Sequence, residues 1–226
     1  LENIEARPSV PPVDDWTSLP LTMWILDFEV QGYSVQEGQE RLLVSGITAQ
    51  ALQHSRAQLV ERSLLDKLVE ELKLGTSKLI DRSTALSLGK VLAARLIISG
   101  QMVYTGPLVQ ISMRLIETET GRIVAAMNES FGSAEPASVL VDRLSKKLLL
   151  ELKQLYPLRG KISEVQDGDF RLNIGEMVGT KIGQRFRVMD EDEILEITST
   201  QKNSSLAKVV KGRALLREGS RLEVIP

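Results

Sequence analysis

The sequence predicts an α/β (α+β) fold: a mixed-sheet β-α-β-α-α-β-β-β-α layer sandwich followed by a small β-barrel domain. Three observations predict it. Short apolar runs rich in β-type residues alternate with segments of helical spacing from Leu21 onward. Leu140, Leu144, Leu148 and Leu152 then repeat every fourth residue, which marks a long amphipathic helix. After Tyr156-Pro157 the pattern changes to short strands split by Gly and Asp, as in small barrels.

The elements follow in order. Residues 1–20, "LENIEARPSVPPVDDWTSLP", hold four prolines and no sustained periodicity, so they read as a proline-rich linker or arm. Residues 21–156 form the α/β domain. "LTMWILDFEV" is one short apolar run bounded by Pro20 and Gly32 and predicts a buried strand. A helix follows, with Leu42, Leu43, Ile47 and Leu52 at helical spacing. "RAQLVER" predicts a second strand. Ser63 with Asp66 then fits an N-terminal capping signal for a helix carrying Leu64, Leu65, Leu68, Val69 and Leu72. A third helix is expected over 80–94, with Asp81 or Ser83 as its cap and Leu86, Val91 and Leu92 as its apolar residues.

Three strands in a meander come next. In the middle one Val109, Ile111, Met113 and Leu115 alternate with Gln110, Ser112 and Arg114, so one face is buried. Gly106-Pro107 and "ETGR" make its turns tight. Pro136 fits the first turn of the closing helix. Residues 157–226 are then expected to form a barrel of about five strands, with Asp167-Gly168 as a hairpin turn and Gly175, Gly179 and Gly183 in a loop before "RFRVM".

Composition narrows the chemistry. With 28 basic against 30 acidic residues, neither sign dominates and a nucleic-acid partner is not expected. Cysteine is absent, which excludes disulfides, thiolate metal sites and a cysteine nucleophile. His54 is the single histidine, too few for a zinc enzyme of the usual kind. No run approaches the ~18 apolar residues of a membrane-spanning helix. The chain opens without a methionine, so a processed product or a fragment is expected, and a removed signal or lipid-attachment segment would leave no trace in it.

The order of motifs goes further than composition. "WILDFEVQG", the "VER" joint, the D-x-x-T-A-x-x-L-G-K segment and the "RLIETETGRIV" hairpin, spread over residues 22 to 152, resemble the CsgG-like family. That family includes the curli secretion channel and the related periplasmic folds of the TolB amino-terminal domain and LpoB. The glycine-spaced end of the chain resembles the carboxy-terminal domain of the flagellar protein FlgT. The resemblance implies an assembly or binding protein of the bacterial cell envelope, periplasmic or associated with the outer membrane, with no catalytic, cofactor-binding or metal-ligating residues. It also implies self-association, since ring formation occurs in relatives, without fixing a stoichiometry. The curli channel inserts two long hairpins into this fold. Here "YTGPL" and "ETGR" are too short to hold ~10-residue lipid-facing strands, so the pore is not carried over.

Several residues invite a chemical reading, and each has a plainer one. Glu61 and Arg62 end a strand of an α/β sheet, where ligands often bind. Without a glycine-rich phosphate loop, an ion pair of Arg62 with a carboxylate such as Asp27 fixing the turn is the better account. Asp27 and Glu29, at i and i+2, would share a strand face as paired acids do in some hydrolases, but no nucleophile motif accompanies them. His54 reads as a helix-end residue, Gly75 to Ser77 as a turn after a helix, and Lys146-Lys147 as a solvated helix face. "MDEDE", residues 189 to 193, lacks the calcium-loop pattern and reads as an acidic hairpin tip. The expectation is therefore a non-enzymatic envelope module acting through protein contacts. A secretion-channel subunit and, more remotely, a carboxylate enzyme are its rivals.

Overall fold

The computed structural model describes residues 16–33, 38–54, 57–60, 94–166, 168–212 and 216–225. The chain divides into two compact units, one formed mainly by residues 19–158 and the other by residues 1–18 with most of 159–225. The predicted helices over 63–72 and 80–94, with Ser63, Asp66, Asp81 and Ser83, lie almost wholly outside the described residues.

In the first unit the described elements are β1 (Leu21–Ile25), β2 (Glu29–Tyr33), α1 (Gln39–His54), β3 (Ala57–Leu59), β4 (Leu96–Thr105), β5 (Leu108–Glu117), β6 (Arg122–Gly132) and α2 (Ala137–Leu155). The sheet order is β3-β1-β4-β5-β6, with β2 also paired to β4. β1 runs parallel to β3 and β4, while β4, β5 and β6 form an antiparallel meander, so the sheet is mixed as expected. β4 joins β5 through Gly106 and Pro107, and β5 joins β6 through residues 118–121; neither hairpin carries an insertion.

The run read as one strand is two. β1 pairs with residues 96–98 and β2 with residues 101–105, so both lie along the same edge of β4 with a break at residues 26–28. The break coincides with a contact between distant residues. Phe28 is fully buried, and its ring fills the space that a Cβ on Gly100 would occupy, 2.7 Å away. A continuous strand would place a side chain on β4 there. Leu26 still donates its amide to Ile98, which keeps the segment on the sheet.

One face of the sheet packs on α1 and α2. Val109, Ile111, Met113 and Leu115 all point into this core, as their alternation requires. Leu140, Leu144, Leu148 and Leu152 are the apolar line of α2, and each buried leucine contributes roughly 1.5–3 kcal/mol. Pro136 is the N-cap of α2 and lies outside its first turn. In α1 the buried line is Leu43, Val44, Ile47 and Ala51, while Leu42 and Leu52 are 63% and 54% exposed. The expected line gave weight to the larger leucines. At 100° per residue, positions 43, 47 and 51 form one row with Val44 beside it, while Leu42 and Leu52 each turn about 100° away from that row.

The second unit is a closed barrel of β7 (Arg159–Gln166), β8 (Asp169–Leu172), β9 (Arg185–Val188), β10 (Ile194–Thr200), β11 (Ser205–Lys211) and β12 (Arg221–Val224), in the order β10-β11-β8-β7-β12-β9. It has six strands, one more than expected, because the four-residue β12 bridges β7 and β9 and completes the ring. Ile162, Phe170, Leu172, Phe186, Leu195 and Leu222 are among the residues that fill the interior. Charged residues occupy the outside in cross-strand pairs. A membrane barrel needs the reverse, with apolar residues outward, so this barrel is not a lipid-facing one. Among the described residues no helix is long and apolar enough to cross a membrane.

Candidate interaction surface

The second face of the sheet is built differently from the first. Register puts residues of four strands into rows on that face, because directly paired residues share a side of the sheet. One row is Glu29, Gln101, Ser112 and Asn128, and the next is Gln31, Val103, Gln110 and Ser130. A third places Ser99 beside Arg114 and Ala126. Gln31, Gln110, Ala126, Asn128 and Ser130 are exposed, while Glu29, Gln101, Ser112 and Arg114 are half-buried. Farther along the same face Trp24, Ile97 and Ile116 are buried. One half of this face is therefore apolar and covered, and the other is polar and open.

The open half is rich in amides and hydroxyls. Gln31 donates its side-chain amide to one Glu29 carboxylate oxygen at 3.0 Å. The other Glu29 oxygen is buried without a hydrogen-bond partner, and so is the Ser99 hydroxyl. A buried polar atom left unpaired costs about 1–3 kcal/mol. Native structures keep such atoms rarely, and often where a further contact is made. The chemistry on offer is hydrogen bonding to a surface.

The residues singled out from sequence fare as follows. Asp27 lies in the break between β1 and β2, so it and Glu29 are not successive same-face residues of one strand. Asp27 is itself engaged in an interaction. Glu61, Arg62 and Gly75 to Ser77 lie outside the described residues, so the expected Arg62–Asp27 pair is not described. His54 is the last residue of α1; its side chain lies outside the described residues. Lys146 pairs with Asp142 at 2.8 Å and Lys147 with Glu129, both on the exposed side of α2, as a solvated face requires.

"MDEDE" does form the turn between β9 and β10, but its last carboxylate is not a solvated tip: Glu193 is 6% exposed. Asp190 adopts φ 66°, and Asp192 meets Lys211 at 3.0 Å. Among the described residues no group of three His, Cys, Asp or Glu is placed to hold a metal ion. Burial, with the Glu117 carboxylate nearby, raises the Tyr156 phenol above its ordinary value, while the Arg95 guanidinium, 5.2 Å from the ring centroid, acts in the opposite direction.

Sequence reasoning found part of the polar face. Gln110, Ser112 and Arg114 were legible as the non-core side of β5. Gln31, Asn128 and Ser130 were not, because only the register joins them to it. A clue was present: polar residues at every second position in three separate strands.

A family model described as the peptidoglycan-synthase activator LpoB matches residues 29–130. That span is less than half of the chain, and it runs from the first residue of β2 almost to the end of β6. Of the relatives brought together by the sequence motifs, LpoB is the one this match supports; it gives no support specific to the curli channel or to FlgT. No curated protein gives a significant match. Similar solved structures include the C-terminal domain of LpoB from Escherichia coli, at 13% identity and TM-score 0.44, covering 50% of this chain and 84% of that one. PelC from Paraburkholderia phytofirmans, solved as a dodecamer, shows 15% identity and TM-score 0.37, covering 58% of this chain and 86% of that one. TolB from Acinetobacter baumannii shows 8% identity and TM-score 0.40, covering 87% of this chain and 50% of that one.

Proposed function

We propose that this chain is a non-enzymatic module of the bacterial cell envelope that binds a peptidoglycan synthase on the periplasmic side and raises its activity by contact. One observation carries the reading. The span similar to the synthase activator, residues 29–130, contains every residue of the open polar sheet face, from Glu29 in β2 to Ser130 in β6. In this reading the synthase contacts that face, and its hydrogen-bonding groups satisfy the Glu29 oxygen and the Ser99 hydroxyl. No bond is made or broken by the chain itself. The kinship to the wider CsgG-like fold, and the envelope location it implies, belong to the same proposal.

The test is direct. A purified peptidoglycan synthase from the organism that encodes the chain is assayed for glycan polymerisation with and without the full chain. The expected result is stimulation that saturates with added chain. Gln110→Arg combined with Asn128→Arg should weaken the half-saturating concentration by about tenfold. Because both sites are exposed, folding stability should change by less than about 0.5 kcal/mol. Stimulation unchanged by the double substitution would remove the polar face from the account. Absence of any stimulation or binding would remove the synthase.

A further inference from the structure

We propose that Arg114 seats a single acidic side chain of the synthase, gripping its carboxylate from the middle of the second sheet face. The inference rests on the reading above, that the synthase docks on this face, and adds the chemistry of the contact.

Arg114 is half-buried on β5, directly between Ser99 of β4 and Ala126 of β6. Among the described residues it meets no carboxylate and lies over no ring. Two other arginines of this unit are engaged. Arg95 lies over the Tyr156 ring, and Arg143 lies over Phe131 and meets Glu135 at 3.6 Å. A cation that gives up part of its water without a counter-charge is costly to hold in a fold. An incoming carboxylate removes that cost.

Ser99 is an independent sign of a missing partner. It is 0% exposed, and its hydroxyl has no hydrogen-bond partner. Paired residues have Cβ atoms about 4.5–5.5 Å apart, so this hydroxyl lies beside the foot of Arg114. On the other side Ala126 is exposed and carries only a methyl, too short to cover the flank of an arginine. One row along the same face Ile97 and Ile116 are paired and buried. Apolar neighbours lower the local dielectric and strengthen a charge pair formed against them. The guanidinium offers five N–H donors in a planar fork that matches the two oxygens of a carboxylate. With a carboxylate in that fork, the hydroxyl beside it gains an acceptor.

The face selects a lone acid. The other charge in these rows is Glu29, two strands and one row away, roughly 12 Å between Cα atoms. One of its oxygens is unpaired. A polyanion, or a bilayer of many phosphates, would press negative charge onto Glu29 as well as onto Arg114. A folded partner with one carboxylate over Arg114 and a hydrogen-bond donor over Glu29 satisfies both.

Two arms, both with the full chain, test this. In the first, binding to the purified synthase is measured by fluorescence anisotropy. Arg114→Gln should weaken it by about tenfold, and the equal charge change Arg122→Gln, at an exposed position, by less than about twofold. Ala126→Glu sets a competing carboxylate beside the fork and should also weaken binding by about tenfold, whereas Ala126→Gln, of the same size, should do so by less than about threefold. The melting midpoint of Ala126→Glu should equal or exceed that of Ala126→Gln, because the new acid pairs with Arg114. In the second arm N-acetylglutamate is titrated against the chain alone and followed by NMR at the Arg114 Nε–H. A saturable shift is expected, absent with N-acetylglutamine and absent in Ala126→Glu. Equal synthase binding by the wild type and Arg114→Gln, or equal weakening by the two Ala126 variants, would overturn the seat and leave the docking face standing. A saturable shift in a chain that binds no synthase would support the seat and remove the synthase. No shift with N-acetylglutamate, or an equal shift with N-acetylglutamine, would overturn the proposal.

Discussion

The two sheets of this chain solve the same problem in opposite ways. The mixed sheet stays open. Its helix-covered face is mostly apolar, with Glu129 paired to Lys147 of α2, and half of its other face presents amides and hydroxyls. The barrel closes around an apolar interior and carries ion pairs on its outside, with a few apolar residues such as Ile182 and Val210 left exposed. Closure abolishes strand edges, whereas among the described residues the eleven-residue β6 has only β5 as a partner. The lesson concerns where recognition can reside. An open sheet keeps a broad flat face for a partner. A closed barrel has only its side-chain exterior.

The largest expected effects test whether the two sheets are separate folding units. Phe186 at the barrel centre and Leu144 under the mixed sheet are both fully buried. Phe186→Ala should cost about 3–5 kcal/mol and Leu144→Ala about 2–5 kcal/mol. Hydrogen exchange resolved along the chain should show each substitution lowering protection only in its own unit. This also tests the boundary expected near residue 157. If either substitution exposes both regions together, the comparison collapses into one cooperative fold.

Next come two glycines that differ in kind. At Gly100 an added methyl meets the Phe28 ring, so Gly100→Ala should destabilise by about 1–3 kcal/mol through crowding. At Gly168 the φ of +87° is the constraint and the space is open, so Gly168→Ala should cost about 1 kcal/mol through backbone strain. Phe28→Leu should rescue the first and leave the second untouched, as read by urea unfolding midpoints. Rescue of neither would mean that Phe28 does not set the break between β1 and β2.

What the sequence revealed follows the range of the forces involved. The buried side of β5 and the leucine line of α2 are written in local periodicity, and both hold in the structure. The break between β1 and β2 is written nowhere locally, since it depends on Phe28 meeting a glycine seventy-two positions away. Strand count in the barrel failed for a related reason: β8, β9 and β12 have four residues each, too few to show a period. The polar face was half legible, as one strand's alternation without its neighbours. The placement of Trp16 was invisible within a proline-rich arm, because the groups over its ring are Arg159 and Arg221, which lie far along the chain.

Exposed ion pairs should matter less than any of these. Arg185→Gln, which breaks the contact with Glu196, should lower barrel stability by no more than about 1 kcal/mol, and the loss should shrink in high salt. A larger, salt-independent loss would mean that the exterior ladders, and not the apolar interior, hold the barrel together.

The smallest expected effect lies in the open-sheet unit and concerns Tyr156, the C-cap of α2, whose amide donates to Leu152 at 3.0 Å. Burial first, and the Glu117 carboxylate second, hold its phenol above the ordinary value of 10.0. The folded state therefore binds this proton more tightly than the unfolded chain does. The resulting stability is fully present below the unfolded pKa and is lost as pH rises through the folded one. Between about pH 9 and 11 the wild-type melting midpoint should fall more steeply than that of Tyr156→Phe, which has no proton to lose. Glu117→Gln should flatten the wild-type slope, because one cause of the raised value is gone. Arg95→Gln should steepen it, because the opposing cation is gone. The barrel contributes nothing to this difference, so an identical slope in all four proteins would show that the end of α2 is more open to water than its packing against the sheet requires.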